Sequence, residues 1–169
     1  MQKHHAHQIM KFSGLLFGGL LVISGTVMAG SPKCLVMGDS IAQGAGAHAP
    51  HCTVVAEKGI STHDWVQKFG GHVERSGAFD VVLISLGSND GGGATVKSLS
   101  NARMKVALAR RVIWIAPSPK YAARNYVIGV AKTFGDVVYE RPIEQLQPDG
   151  VHFNGLGYKR IASVVASVF

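Results

Sequence analysis

Charge is scarce in this chain. Only 16% of its 169 residues are Asp, Glu, Lys or Arg, against 47% hydrophobic, a balance that excludes an intrinsically disordered chain. Its 21 glycines follow no period, and no serine-proline tract occurs, so collagen-like and low-complexity readings fail as well. The net charge is +7, but the basic residues are scattered and no stretch alternates them with aromatics, so a nucleic-acid footprint is missing. No His/Cys cluster has zinc-ligand spacing, and no glycine loop fits a dinucleotide or phosphate-loop pattern; Gly91-Gly92-Gly93 lacks the lysine a phosphate loop requires. No metal and no cofactor is therefore expected. There is no internal repeat and no interdomain linker, and the length suits one compact domain.

The most apolar stretch lies at the N-terminus. Met1 to Lys11 is polar and carries Lys3 and Lys11. Phe12 to Met28 is uncharged and apolar, and Val27-Met28-Ala29 places small residues where a signal peptidase reads them. This is the anatomy of a secretory leader. The apolar run is broken by Gly14, Gly18, Gly19 and Gly25 and is shorter than the roughly 20 residues of a spanning helix. We expect cleavage after Ala29, a mature domain over residues 30–169 with no stable membrane span, and export to the periplasm or beyond. Cleavage would lower the net charge to +5, since the leader carries two lysines and no acid. Cys34 follows Ser31-Pro32-Lys33, which lacks the small apolar context of a lipid-modified cysteine. His4, His5 and His7 fall in the leader and receive no role.

Two cysteines in an exported chain permit one disulfide, Cys34 to Cys52. Each opens an expected strand, and neighbouring strands lie about 4.8 Å apart, within disulfide reach. Two buried thiols are the alternative.

From Lys33 onward, short β-branched runs alternate with helical patterns. Strands are expected at Cys34 to Met37, Thr53 to Ala56, Val81 to Leu86, Val112 to Ala116 and Val137 to Tyr139. The third and fourth are continuous apolar runs, as in parallel strands covered on both faces. Helices are expected at Thr62 to Phe69, Thr95 to Leu108 and Tyr121 to Phe134. A last helix runs from Gly155 to Phe169, with Ile161, Val164, Val165 and Val168 in one apolar stripe. Alternation with right-handed crossovers makes a three-layer α/β/α sandwich around a parallel sheet. The order of its strands is not readable from periodicity.

Function in such sheets gathers in loops beyond the carboxyl ends of the strands. Those loops hold Gly38-Asp39-Ser40, Glu57-Lys58-Gly59-Ile60, Gly87-Ser88-Asn89-Asp90, Pro117-Ser118-Pro119 and Pro148-Asp149-Gly150-Val151-His152. The segments Gly38-Asp39-Ser40, Gly59, Gly87-Ser88-Asn89-Asp90 and Asp149-Gly150-Val151-His152 resemble, in order, the four blocks of the SGNH hydrolases, the GDSL esterases and lipases. The resemblance spans Lys33 to the final helix. It implies a five-stranded, flavodoxin-like sheet and ester-bond chemistry.

Each residue of these blocks has a chemical reason to be there. Ser40 follows a strand at a tight turn and opens a helix, which projects its hydroxyl and leaves its N–H free to donate. A serine hydroxyl needs a base within hydrogen-bond reach; His152 is the candidate. Asp149, three residues earlier, can accept from the other imidazole nitrogen and fix its tautomer. Acyl transfer also needs donors aimed at the developing oxyanion, and the Ser40 and Gly59 N–H groups and the Asn89 amide are the three candidates. The resemblance assigns the same three. Asp39 and Asp90 are expected to brace loops instead of entering the chemistry.

The substrate is less legible. A chain this short has few residues for a lid or apolar tunnel, so an open site is expected. That disfavours long acyl chains, which bind by burying methylenes at about 0.8 kcal/mol each. Lys120-Tyr121-Ala122-Ala123-Arg124-Asn125-Tyr126 mixes cations with aromatics on the same edge of the sheet. Lys120, Tyr121 and Arg124 are candidate contacts to a carbohydrate ester, such as an acetylated envelope polysaccharide. An ordinary amphipathic helix start is the other account of that segment. His48 and His51, in the loop after Ser40, could also line the site, but read more simply as exposed loop residues. The resulting expectation is an exported, monomeric serine esterase acting on small acyl esters of a glycan. A lysophospholipase- or thioesterase-type lipid esterase and a catalytically silent glycan-binding protein are the alternatives.

Overall fold

The computed structural model describes residues 32–93 and 95–167. The leader expected over 1–29, and Val168 of the final stripe, lie outside the described residues. Five parallel strands form one sheet: β1 (Cys34–Gly38), β2 (Thr53–Ala56), β3 (Val81–Ser85), β4 (Arg111–Ile115) and β5 (Val137–Tyr139). Their order is β2-β1-β3-β4-β5. Every expected strand is present, with ends shifted by a residue at most.

Every residue of β1 and β3 is buried, and period-2 alternation divides each strand between two cores. Leu35, Met37, Val82, Ile84, Val112 and Trp114 point to one face. There they meet Trp65 of α2 (Thr62–Trp65), Val73 of α3 (Gly71–Arg75), Leu99 of α4 (Val96–Met104), and Val127 and Val130 of α5 (Ala123–Phe134). Val36, Val81, Leu83, Ile113 and Ile115 point to the other. They pack on Ile41, Ala42 and Ala45 of α1 (Ser40–Gly46) and on Ile161, Ala162 and Val165 of α6 (Gly155–Ala166). The result is the three-layer sandwich expected from the alternation.

The helices differ from expectation mainly at their ends. The segment expected as Thr62 to Phe69 starts where Ser61 caps Asp64 N–H at 3.2 Å. It does not stop at Gly70-Gly71 but runs through a π-helical turn, Val66–Gly70, into α3. Both glycines hold right-handed helical dihedrals, and the Lys105 stem lies where a Gly70 side chain would begin. In α4, a capping box between Thr95 and Ser98 sets the start at Val96, and the helix ends at Met104, short of the expected Leu108. Helix α5 starts at Ala123 and not Tyr121, because Tyr121 is turned back onto the Ser118 carbonyl.

Cys34 and Cys52 form a disulfide. It is possible because β2 pairs directly with β1, Leu35 opposite Thr53, which brings the two cysteine Cα atoms to 4.7 Å. The chain leaves β1 towards β2 on one side and later crosses back to β3 on the other. Connections therefore diverge between β1 and β3, and a crevice opens beyond their carboxyl ends.

Candidate active site

The crevice is built from the end of β1 outward. Gly38 has φ +131°, and a Cβ there would lie 1.8 Å from the Ser85 carbonyl oxygen. Only glycine lets the strand end sit so close to β3. Asp39 follows, its N–H donating to that carbonyl at 2.9 Å. Its buried carboxylate accepts from Ile41 N–H at 3.0 Å and from the Ser85 hydroxyl at 2.9 Å, capping α1. Burial pushes the Asp39 carboxyl above its ordinary range, against the lowering effect of these bonds and of the Arg141 charge. Asp39 thus braces the turn, as expected, and Ser40 emerges half-buried as the first residue of α1.

The partner comes from 112 residues away. After β5 a 3-10 turn, Ile143–Gln145, leads to Leu146, which bridges to Phe153. Gln147 N–H donates to the His152 carbonyl at 2.8 Å, and Gly150 turns with φ +66°. The Asp149–His152 loop is thereby tied off above the fully buried Phe153 ring. Its Oδ1 accepts from the N–H groups of Val151 and His152 at 2.7 and 2.9 Å. Asp149 Oδ2 lies 2.7 Å from His152 Nδ1, and His152 Nε2 lies 3.0 Å from Ser40 Oγ. Serine, imidazole and carboxylate are in line. The His152 side chain, and behind it the Val151 and His152 N–H groups, hold the Asp149 carboxyl far below the usual carboxylate range.

The three expected donors lie on loops at the same edge of the sheet, after β1, β2 and β3. Glu57 N–H bonds the Gly38 carbonyl at 2.9 Å, fixing the β2 loop against the strand that delivers Ser40. Gly59, two residues on, has φ +77°, a conformation that favours glycine. No atom lies within 4 Å of where its Cβ would be, so its backbone faces open space. One N–H of the Asn89 amide donates to the Ile60 carbonyl at 3.2 Å, which aligns that side chain and leaves its second N–H to donate. Asp90 accepts from Thr62 N–H at 2.7 Å, so it too braces a loop. Among the described residues the N–H groups of Ser40 and Gly59 have no protein acceptor.

The Lys120 segment borders the site. Lys120 Nζ donates to the Asp149 carbonyl at 3.1 Å and lies over the Tyr121 ring. The Arg124 guanidinium is engaged within the protein, by the Pro117 carbonyl at 2.9 Å and by Glu140 at 2.5 Å. His48 is exposed and stacks on Tyr158. His51 lies beside Cys34 and Cys52, their potential ligand atoms within 4.8 Å of one another, but the sulfurs are bonded to each other and neither is a thiolate. The triad sits at the surface, with 35% of the His152 and 46% of the Asp149 side chain exposed. Beside it, a groove of about 560 Å³ is lined in part by Lys58, Gly59 and Ile60.

Two structural partners of the site were not legible in sequence. Ser85 closes the apolar run of β3, and a hydroxyl in that place was the available signal. Arg141 is buried and donates to the carbonyls of Ala116 and Val151, both at 2.5 Å.

No protein-family model matches the chain, and no curated protein matches it by sequence. Solved structures do. The C-terminal catalytic domain of peptidoglycan O-acetyltransferase A from Streptococcus pneumoniae superposes with TM-score 0.57 at 16% identity, over 81% of this chain and 92% of that one. An acetyl xylan esterase from Geobacillus stearothermophilus does so with TM-score 0.58 at 14% identity, over 83% and 95%. A lipolytic protein of the G-D-S-L family from Veillonella parvula gives TM-score 0.55 at 17% identity, over 82% and 98%. Likeness at such identities concerns the path of the backbone, and by that path, with a five-stranded parallel sheet between helical layers, the chain has the fold of the SGNH, or G-D-S-L, hydrolases.

Proposed function

We propose that this protein is an exported serine esterase that cleaves small acyl esters, foremost acetyl esters of a carbohydrate or envelope glycan. The observation that carries the hydrolase reading is the continuous Ser40–His152–Asp149 hydrogen-bonded line, at 3.0 and 2.7 Å.

The ionised Asp149 can only accept, so His152 Nδ1 donates to it and Nε2 is left to accept the Ser40 proton. Ser40 Oγ then attacks the ester carbonyl. The negative charge that forms on the carbonyl oxygen is met by the N–H groups of Ser40 and Gly59 and by the Asn89 amide, whose orientation is set before substrate arrives. The imidazolium returns its proton to the departing alcohol as the carbon–oxygen bond breaks, leaving an acyl group on Ser40. Water, deprotonated by the same nitrogen, attacks that acyl carbonyl, the bond from the acyl carbon to Ser40 Oγ breaks, and the imidazolium returns its proton to Oγ as the acid leaves.

The glycan reading draws on different support. The site is open, with both acid–base side chains partly exposed. Lys120 and Tyr121 stand at its rim. Two proteins of the same fold are named as a peptidoglycan O-acetyltransferase and an acetyl xylan esterase. Export rests on the leader pattern of residues 1–29. Among the described residues no helix is long and apolar enough to cross a membrane.

An ester panel tests the reading. Nitrophenyl acetate, nitrophenyl octanoate, an acetylated xylan and a lysophospholipid are compared at equal enzyme concentration. Acetyl esters are expected to be turned over at least about tenfold faster than octanoyl ones, since each added methylene finds little apolar surface to bury. A preference for octanoyl ester and lysophospholipid would replace the glycan reading with a lipid one.

The pH profile supplies a second check. A lowered carboxyl pKa means that the carboxylate persists into more acid solution, so Asp149 remains ionised wherever an imidazole gains its proton. Loss of activity towards acid should therefore reflect one ionisation, with log kcat/KM falling with a slope of one. A slope approaching two would mean that Asp149 takes up a proton over the same range.

A further inference from the structure

We propose that Arg141 is a positioning residue of this site: it fastens the acid–base loop to the sheet through the carbonyls of Ala116 and Val151, and so holds His152 against Ser40. The inference rests on the reading of Ser40 and His152 as nucleophile and base.

Arg141 stands two residues beyond β5 and is only 8% exposed. Its Nε donates to Ala116 O and its Nη1 to Val151 O. Ala116 is fixed, because its own N–H bonds the Tyr139 carbonyl of β5 at 3.0 Å. Val151 lies between the two acid–base residues, and its N–H is held by Asp149 Oδ1. The peptides on both sides of Val151 are thus clamped, one through its N–H by the carboxylate and the next through its C=O by the guanidinium. The second of those peptides leads directly into His152. The guanidinium also lies over the Phe153 ring, 5.6 Å from its centre, so it grips the loop on both sides of the imidazole.

The choice of side chain fits this task better than it fits stability. A planar guanidinium presents donors in fixed, divergent directions and reaches two carbonyls at once, whereas an ammonium is a single point. Burying a charge is costly, and well-packed apolar residues often serve stability as well. Here Arg141 Nη2 and Asp39 Oδ2 are both buried and lack hydrogen-bond partners, a cost an apolar pair would avoid. Burial pushes the Arg141 pKa down and the Asp39 pKa up, and each charge opposes that shift in the other. One of these charges lies beneath the acid–base loop and the other beneath the nucleophile. Asp39, which caps the helix that opens with Ser40, and Arg141, which holds the Val151 carbonyl, thus lie under the two halves of the site.

The test uses the full chain as wild type, Arg141→Met, Arg141→Lys and Arg103→Met. Arg103 is a second buried arginine, paired with Asp136 at 2.7 and 3.0 Å on the opposite face of the sheet, and serves as the control for lost stability. Active sites are titrated with a fluorophosphonate, kcat per titrated site and KM are measured on nitrophenyl acetate, and the His152 Nδ1 proton is followed by NMR. In Arg141→Met, kcat per site should fall about 10- to 100-fold, the effect of misplacing a catalytic group by about 1 Å, with KM within about twofold. The Nδ1 proton signal should be lost or broadened. Arg141→Lys should recover part of both, and Arg103→Met should lower Tm while sparing kcat per site. Wild-type kcat per site and an unchanged imidazole signal in Arg141→Met would overturn the proposal. An equal fall in Arg103→Met would do the same. If Arg141→Met does not fold, full kcat per site in Arg141→Lys overturns it. Should wild type take up no fluorophosphonate and cleave no ester, the hydrolase reading falls, and the NMR comparison still decides whether Arg141 holds His152.

Discussion

Ser40→Ala is expected to lower the turnover of nitrophenyl acetate by about 10⁴-fold or more, with thermal stability close to wild type. Among the described residues His152 Nε2 is the one partner of the hydroxyl, so its removal deletes the proposed nucleophile without stripping the core of a bond. The cap that starts α1 belongs to Asp39, and the Ser40 N–H is a backbone group that alanine keeps. The donors proposed for the oxyanion therefore survive, and on that proposal the residual rate above water reports what they supply without a nucleophile. Fluorophosphonate labelling provides the second readout, complete in wild type and absent in the variant. A variant that keeps even a tenth of wild-type turnover would show that Ser40 is not the nucleophile and would leave the fold with a binding role.

Gly38→Ala is expected to cost more than alanine at any other glycine among the described residues. The added Cβ would lie 1.8 Å from the carbonyl oxygen of Ser85 and 2.7 Å from its carbon. These are backbone atoms of a central strand and cannot rotate away. The φ of +131° is itself one that side chains rarely adopt. Relief requires β1 to part from β3 where Gly38 pairs with Ser85, which breaks the Asp39 N–H bond to the same carbonyl and shifts Ser40 away from His152. Losses beyond about 4 kcal/mol arise from this kind of core strain, and for a chain of this size that corresponds to a fall in Tm of roughly 10 °C or more. Calorimetry measures it, and labelling at Ser40 should fail in parallel. A wild-type Tm would mean that the strand end is not seated against Ser85. Gly59 is the contrast: its positive φ disfavours a side chain, but the space beyond is empty. The first glycine serves the fold and the second faces the crevice.

How far the site was legible follows from the range of each signal. Ser40, Asn89, Asp149 and His152 could be singled out in the sequence because each sits in a short block at a strand end, and strand ends are marked locally by an apolar run followed by turn residues. The bracing roles of Asp39 and Asp90 were equally local. Arg141 was missed because its acceptors are main-chain carbonyls 25 and 10 residues away, and a carbonyl carries no residue identity. The π-helical continuation through Gly70-Gly71 was missed for a related reason. Two adjacent glycines have low helix propensity, and what packs beside them, the Lys105 stem against Gly70, comes from another part of the chain.

Periodicity, turn chemistry and the residue types of the four blocks were enough to establish an alternating α/β domain and the chemical repertoire of its loops, because each depends on neighbours a few residues apart. The strand order β2-β1-β3-β4-β5, the choice between a disulfide and two thiols at Cys34 and Cys52, and the meeting of Ser40 with His152 across 112 residues emerged with the folded chain. Each is a pairing between segments with no local mark of their partner. Such pairings are selected together, by the single arrangement that covers both faces of the sheet while satisfying the backbone groups at its edges.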